Sequence, residues 1–216
     1  IGGEGVHYAV VVYFGSFIKL IDFLGGIEVE VENSFVDRKY PIPGAENDEC
    51  QGDPLFGCRY ETLTFEKGKQ VFDGERALKF ARSRNAEGDE GTDFARAARQ
   101  QKIIEAVRDK ITTFAFLLNP GKVKGLLEIA RESFKTDLPP SLYPAFLRVI
   151  LKSRGDKIRS VVLDGWMKNG LAPQGPTYLY HPPVSTSYDN QWVLVPARED
   201  RTWTDVHNYV ECLVTT

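Results

Sequence analysis

Between Arg82 and Gln101 the chain reads RSRNAEGDEGTDFARAARQQ, and these side chains suit the holding of a phosphate or pyrophosphate group. The planar fork of arginine grips two phosphate oxygens at once, each charged hydrogen bond contributing about 1.5 to 3 kcal/mol. Arg82 and Arg84 leave one expected helix, while Arg96, Arg99 and Gln100 fall in the first two turns of the next. Arg96 and Gln100 are four apart and share a helical face. The N-terminus of that second helix adds oriented N–H groups and a dipole that favours an anion. The same stretch holds four arginines and four acids (Glu87, Asp89, Glu90, Asp93), so a solvated loop of mutual salt bridges has the same composition. Asp93 reads in two ways, as the helix N-cap or as a carboxylate that orients Arg96.

Other chemistry finds less support. His7, His181 and His207 are scattered and form no metal-ligand spacing, so structural roles are expected for them. There is no Walker or Rossmann glycine loop and no G-x-S-x-G elbow. The acids of Gly88 to Asp93 lack the ligand order of an EF-hand. Cys50 and Cys58 flank the short polar loop QGDPLFG, whose Gly and Pro can bring the sulfurs together. A disulfide, and with it an oxidising compartment, is the expectation; a metal site and two free thiols are the alternatives.

The elements that must position the arginines follow from periodicity. Asp73 is expected to cap a helix through about Arg82, with Ala77, Leu78, Phe80 and Ala81 on its buried side. Asp93 is the expected cap of the next helix, where Ile103, Val107, Ile111 and Phe114 recur at helical spacing up to Asn119-Pro120-Gly121. Upstream, HYAVVVYF from His7 to Phe14 predicts a strand buried on both faces. A short helix from about Ser16 to Leu24 ends at Gly25 and Gly26, and Ile27, Val29 and Val31 alternate with glutamates as a half-buried strand. Asn33 to Gly57 reads as a long loop or hairpin excursion, followed by a strand from Tyr60 to Phe65. Helices over Val123 to Phe134 and Pro140 to Lys152 make the middle helical. Strands at Ile158 to Leu163 and Trp192 to Pro196 and a Thr202-capped helix close the chain.

The 216 residues suit one or two domains. The net charge of −3 removes any general attraction to nucleic acid, so an anion site must be local. No run of about 18 apolar residues is present to span a membrane. The chain opens on Ile1 and carries a single Met, at 167. The expectation is therefore a piece of a longer protein, with an anchor and further catalytic residues upstream.

The run FEKGKQVFDGERALKFARSR, then DFARAARQQ and a long apolar helix, resembles the C-terminal half of a LytR-CpsA-Psr domain. Upstream, FIKLIDFLGGIEVEVENSF is similar to that family's helix, Gly-Gly turn and strand. The resemblance is close over residues 6 to 115 and looser through QWVLVP. It implies an α/β (α+β) fold, a central mixed β-sheet flanked by helices, with the N-terminal part of the domain missing. Residues 1–154 would be the C-terminal portion of the catalytic domain, and 155–216 its terminal strands and helix packed on the same domain.

The resemblance also implies a Mg²⁺-dependent (or Mn²⁺-dependent) phosphotransferase. Such an enzyme moves a glycopolymer phosphate from an undecaprenyl-pyrophosphate carrier to peptidoglycan at the outer face of the cytoplasmic membrane. Arg82, Arg84, Arg96 and Gln100 match the family's catalytic pyrophosphate contacts, and Asp93 matches the acid before the helix. Arg99 is a further substrate contact, and Ile103 and Val107 either line an apolar slot for the carrier's tail or, as helical spacing more often means, belong to the core. The family's metal ligands belong to the absent half, so no metal site and no activity are expected of this piece alone. The alternative is a non-catalytic extracytoplasmic protein that binds polyprenyl phosphate or wall polymer.

Overall fold

The computed structural model describes residues 7–152, 163, 178–197 and 202–215. The chain divides into two compact units, Tyr8–Ser160 and Val161–Thr216 with Ile1–His7. The first opens with β1 (Val10–Val12), α1 (Phe14–Phe23) and β2 (Ile27–Val31), the β-α-β order that the sequence predicts. Gly25 and Gly26, at φ +72° and +83°, turn the chain between α1 and β2 in a conformation that costs a glycine little. In β2 the alternation is as expected, with Ile27, Val29 and Val31 buried and Glu28 and Glu30 exposed.

β3 (Phe35–Pro41) falls in the stretch expected to be loop or hairpin excursion, and it pairs antiparallel with β4 (Tyr60–Phe65). The register shifts between Asp37 and Tyr40, which breaks the period of two and hides the strand from a pattern search. β5 (Gly68–Phe72), which sequence reading did not assign, pairs antiparallel with β2 and sets Ile27 opposite Phe72. Between β3 and β4 the excursion is closed by a Cys50–Cys58 disulfide with a Cα–Cα distance of 5.5 Å.

α2 (Gly74–Arg82) is capped as predicted, Asp73 accepting from the Arg76 N–H at 2.8 Å. α3 (Asp93–Ile111) is shorter than expected, because Thr113 accepts from the Phe116 N–H and starts a separate turn, α4 (Phe114–Leu117). α5 (Pro120–Ser133), β6 (Phe134–Thr136) and α6 (Tyr143–Lys152) follow. β6 pairs with β1. The expectation that β1 is buried on both faces is overturned: Val10 is 62 % exposed, and among the described residues β1 pairs only with β6.

In the second unit β7 (Leu179–Tyr180) pairs with β8 (Val195–Pro196), and α7 (Thr204–Thr215) follows. The strand expected over Ile158 to Leu163 lies, except for Leu163, outside the described residues. The α/β class holds in the form of small sheets. The described strands pair two by two and antiparallel, so these pairs stand where one mixed sheet was expected.

The core of the first unit is built on four phenylalanines. Phe35 stacks on Phe65 at 5.0 Å between centroids, and Phe80 meets Phe65 and Phe72 at 5.2 and 5.3 Å. Such pairs add about 0.5 to 1.5 kcal/mol each beyond the area they bury. Phe80 belongs to α2, so this cluster fixes the helix that ends in Arg82. α1 approaches α2 backbone to backbone at Gly74, where an added Cβ would run into the Ile18 carbonyl oxygen.

Gly74→Ala is therefore expected to lower unfolding free energy by about 1 to 3 kcal/mol, as overpacking does. Urea denaturation measures it, and an unchanged midpoint would show that the helices part without cost. Reduction of the Cys50–Cys58 bond should cost about 2 to 3 kcal/mol, the loop-closure entropy of so short a loop. Denaturation with and without reductant, with intact mass after alkylation, checks that.

Candidate functional site

The site is built where the end of α2 meets the start of α3. After Arg82 the backbone is extended at Ser83, so neighbouring side chains alternate in direction. Ser83 and Ala86 are buried, and Arg82 and Arg84 are exposed. An inward serine thus aims the two arginines outward.

Thr92, and not Asp93, caps α3: its hydroxyl accepts from the Ala95 N–H at 3.1 Å. Threonine and aspartate are both good caps, and the hydroxyl occupies the position one residue earlier. The Asp93 carboxylate is thereby released from capping. It lies between two guanidiniums, 3.0 Å from Arg96 and 3.4 Å from Arg84. One acid from the helix start thus joins an arginine of the preceding segment to an arginine one turn along. Gln100 donates through Nε2 to the Ala81 carbonyl at 3.3 Å, which ties α3 to the last turn of α2.

Arg82 has different company. Its guanidinium sits over the Phe14 ring, 4.2 Å from the centroid, with the Tyr40 ring on another side at 5.9 Å. Burial pushes the Tyr40 phenol up from its ordinary range, against the pull of Arg82 and Lys79. Neither Phe14 nor Tyr40 stands out in the sequence as a partner of Arg82. The signal is three-dimensional, since one opens α1 and the other sits beyond the β3 register shift.

Arg99 is corrected from substrate contact to internal tie. It is 4 % exposed, and its donors are taken by protein oxygens: Nε by the Phe80 carbonyl at 3.0 Å, Nη2 by the Ser83 carbonyl at 2.7 Å, and Nη1 by both the carbonyl and the carboxylate of Glu90 at 2.9 Å. Burial lowers its pKa, and the Glu90 carboxylate works in the opposite direction. A guanidinium still stays charged there. Ile103 is corrected as well: it is 3 % exposed and belongs to the core, where a carrier tail cannot reach it. Val107 packs against the same core, so its apolar surface serves the protein's own interior.

The residues of the site do not fit a divalent cation. Asp93, the acid at its centre, is shared by two guanidiniums. Among the described residues the one cluster with ligand atoms in reach is Asp48, Cys50 and Cys58, whose sulfurs are bonded to each other. His181 instead stacks on Trp192 at 4.7 Å.

What the arrangement offers is donors. Each guanidinium carries five N–H groups, and one carboxylate between Arg84 and Arg96 leaves donors over for further oxygens. Arg84 keeps 61 % of its side chain in solvent, and the α3 dipole adds positive potential at the same end. The arrangement can hold a phosphate-like anion.

The profile of the LytR_cpsA_psr family matches residues 4–183. The chain belongs to that family. Two curated relatives are 30 % identical. One is the polyisoprenyl-teichoic acid–peptidoglycan teichoic acid transferase TagV of Bacillus subtilis (strain 168), matched over 129 residues, 60 % of this chain and 28 % of the relative. The other is the polyisoprenyl-teichoic acid–peptidoglycan teichoic acid transferase TagU of Halalkalibacterium halodurans, matched over 133 residues, 61 % of this chain and 34 % of the relative. The chain therefore spans about a third of the length of these relatives. The crystal structure of Bacillus subtilis TagV superposes with a TM-score of 0.59 at 22 % identity, over 97 % of this chain and 65 % of that one. This likeness shows that the LytR_cpsA_psr fold is shared. Among the described residues no helix is long and apolar enough to cross a membrane.

Arg99→Met is expected to cost about 3 to 5 kcal/mol of stability, because Glu90 and two carbonyls lose their buried partner. Arg84→Met, on the exposed side, should cost less than about 1 kcal/mol. Parallel urea titrations compare them, and equal losses would contradict the division drawn between the two arginines.

Proposed function

We infer that this chain carries the pyrophosphate-gripping part of a transferase. The enzyme moves a glycopolymer phosphate from a polyprenyl-pyrophosphate carrier to peptidoglycan at the outer face of the cytoplasmic membrane. The observation that carries the reading is the Arg84–Asp93–Arg96 bridge at the start of α3, with Gln100 one turn further on. Family membership and the teichoic acid transferase relatives TagV and TagU support the substrate class. The Cys50–Cys58 bond supports an oxidising, extracytoplasmic compartment.

In this proposal Arg84 and Arg96 turn donors not used by Asp93 toward the phosphoryl oxygens. Gln100 offers an amide, and Arg82 approaches from the side of Phe14 and Tyr40. Cleavage of a pyrophosphate spreads negative charge over those oxygens, so preplaced guanidiniums hold the transition state more tightly than the ground state. Mg²⁺ or Mn²⁺ belongs to the proposal as an ion that acids other than those described here would hold.

In the full-length protein, Arg84→Ala and Arg96→Ala should each lower turnover of a lipid-linked donor at least 100-fold and weaken its binding. Purified enzyme, a synthetic polyprenyl-pyrophosphate glycan and peptidoglycan acceptor provide the assay. Unchanged donor binding in both variants would sink the assignment, and wild-type binding without turnover would favour the non-catalytic alternative.

A further inference from the structure

Behind the arginine pair lies a carboxylate from a separate strand. Asp37 of β3 is fully buried. One of its oxygens accepts from the Ser83 hydroxyl at 2.6 Å and from the Asn85 N–H at 3.2 Å; the other accepts from the Lys39 N–H at 3.0 Å. A charge removed from water in this way is retained only where its acceptors are filled. Here two of the three donors lie in the segment that carries Arg82 and Arg84, one between the arginines and one just after them.

The rest of β3 grips the same segment. Asp37 forms a bridge pair with Ala86, and the Val36 carbonyl accepts from the Glu87 N–H at 3.1 Å. The Lys39 carbonyl accepts from the Asn85 amide at 3.1 Å. From the opposite side Arg99 holds the Ser83 carbonyl. Ser83 is thus fixed at both its side chain and its backbone. The register shift has a part in this. Asp37 and Tyr40 are three apart and in a regular strand would face opposite ways; the irregularity between them lets both point inward. Asp37 then reaches Ser83 while Tyr40 reaches Arg82, so one strand supports the pair at two points.

We propose that Asp37 is a positioning residue: through Ser83 and Asn85 it sets the direction in which Arg82 and Arg84 leave the protein, and so the tightness of the anion grip. The proposal rests on the pyrophosphate reading above for its ligand, and on the hydrogen bonds alone for its geometry.

The test uses the full-length protein labelled with ¹³C,¹⁵N-arginine, its Asp37→Asn and Ser83→Ala variants, and Val29→Ala as a control that opens a cavity in β2. Inorganic pyrophosphate is the probe, titrated by calorimetry, with the arginine Nε–Hε signals read by NMR. Asp37→Asn and Ser83→Ala are expected to raise the pyrophosphate Kd about tenfold and to shift or broaden the Arg82 and Arg84 signals. In turnover they should raise KM for the lipid-linked donor with little change in kcat, as for a loss of uniform binding. Val29→Ala should lower the unfolding midpoint and leave the signals and the Kd in place. The proposal is overturned if both variants keep wild-type Arg82 and Arg84 signals, or if Val29→Ala weakens binding as much as they do. Should wild-type protein not bind pyrophosphate, the functional reading fails by itself; the arginine signals then decide the positioning claim, displaced signals upholding it and unmoved ones ending it. Should Asp37→Asn not fold, Ser83→Ala, which removes one hydroxyl, decides on the same readouts.

Discussion

A guanidinium taken out of water has to find oxygens for its nitrogens, and Arg99 finds them in three separate places. The Phe80 carbonyl belongs to α2, the Ser83 carbonyl to the segment after it, and Glu90 to the turn before α3. The last two of these pieces have little apolar surface of their own with which to meet the first. The four-phenylalanine cluster fixes α2, and the Arg99 ring contact, 4.8 Å from the Phe35 centroid, joins the polar tie to that apolar floor. The polar segment from Ser83 to Thr92 is thus held from the α3 side by one buried side chain, as β3 holds it from the other. The exposed arginines inherit part of their placement from the hidden one.

Much of this was legible in the sequence where the signal is local. The Asp73 cap, the alternation of Ile27, Val29 and Val31, and the strand from Tyr60 to Phe65 depend on near neighbours and appear as predicted. The shared face of Arg96 and Gln100 is likewise a matter of helical spacing. At the head of α3 sequence reading gave the cap to Asp93, and the structure gives it to the neighbouring Thr92, whose hydroxyl does the same work one residue earlier.

What stayed hidden depends on distant partners. Nothing in the letters ARAARQ says that Arg99 turns inward while Arg96 stays at the surface, since arginine is usually exposed and the receiving oxygens come from residues up to 19 positions away. Ile103 and Val107 carried the right periodicity for an apolar surface, but periodicity does not say whether that surface meets a ligand or a core. β3 was masked by its own irregularity, and β5 by a sequence, GKQVF, with too few apolar residues to declare a strand. β1 shows the reverse. Its run of valines is as apolar as a buried strand's, and its exposure in the structure is a property of what lies beside it, which no local pattern contains.

The release of Asp93 from capping gives the site a threshold. A carboxylate already seated between Arg84 and Arg96 must be pushed aside, or share its donors, before any other anion is held. A singly charged visitor offers the guanidiniums no more than they already have, and gains nothing by the exchange. An anion with several charges on neighbouring oxygens offers more than it displaces. On the function proposed above, the resident acid is an internal competitor that favours anions of dense charge over monovalent ones.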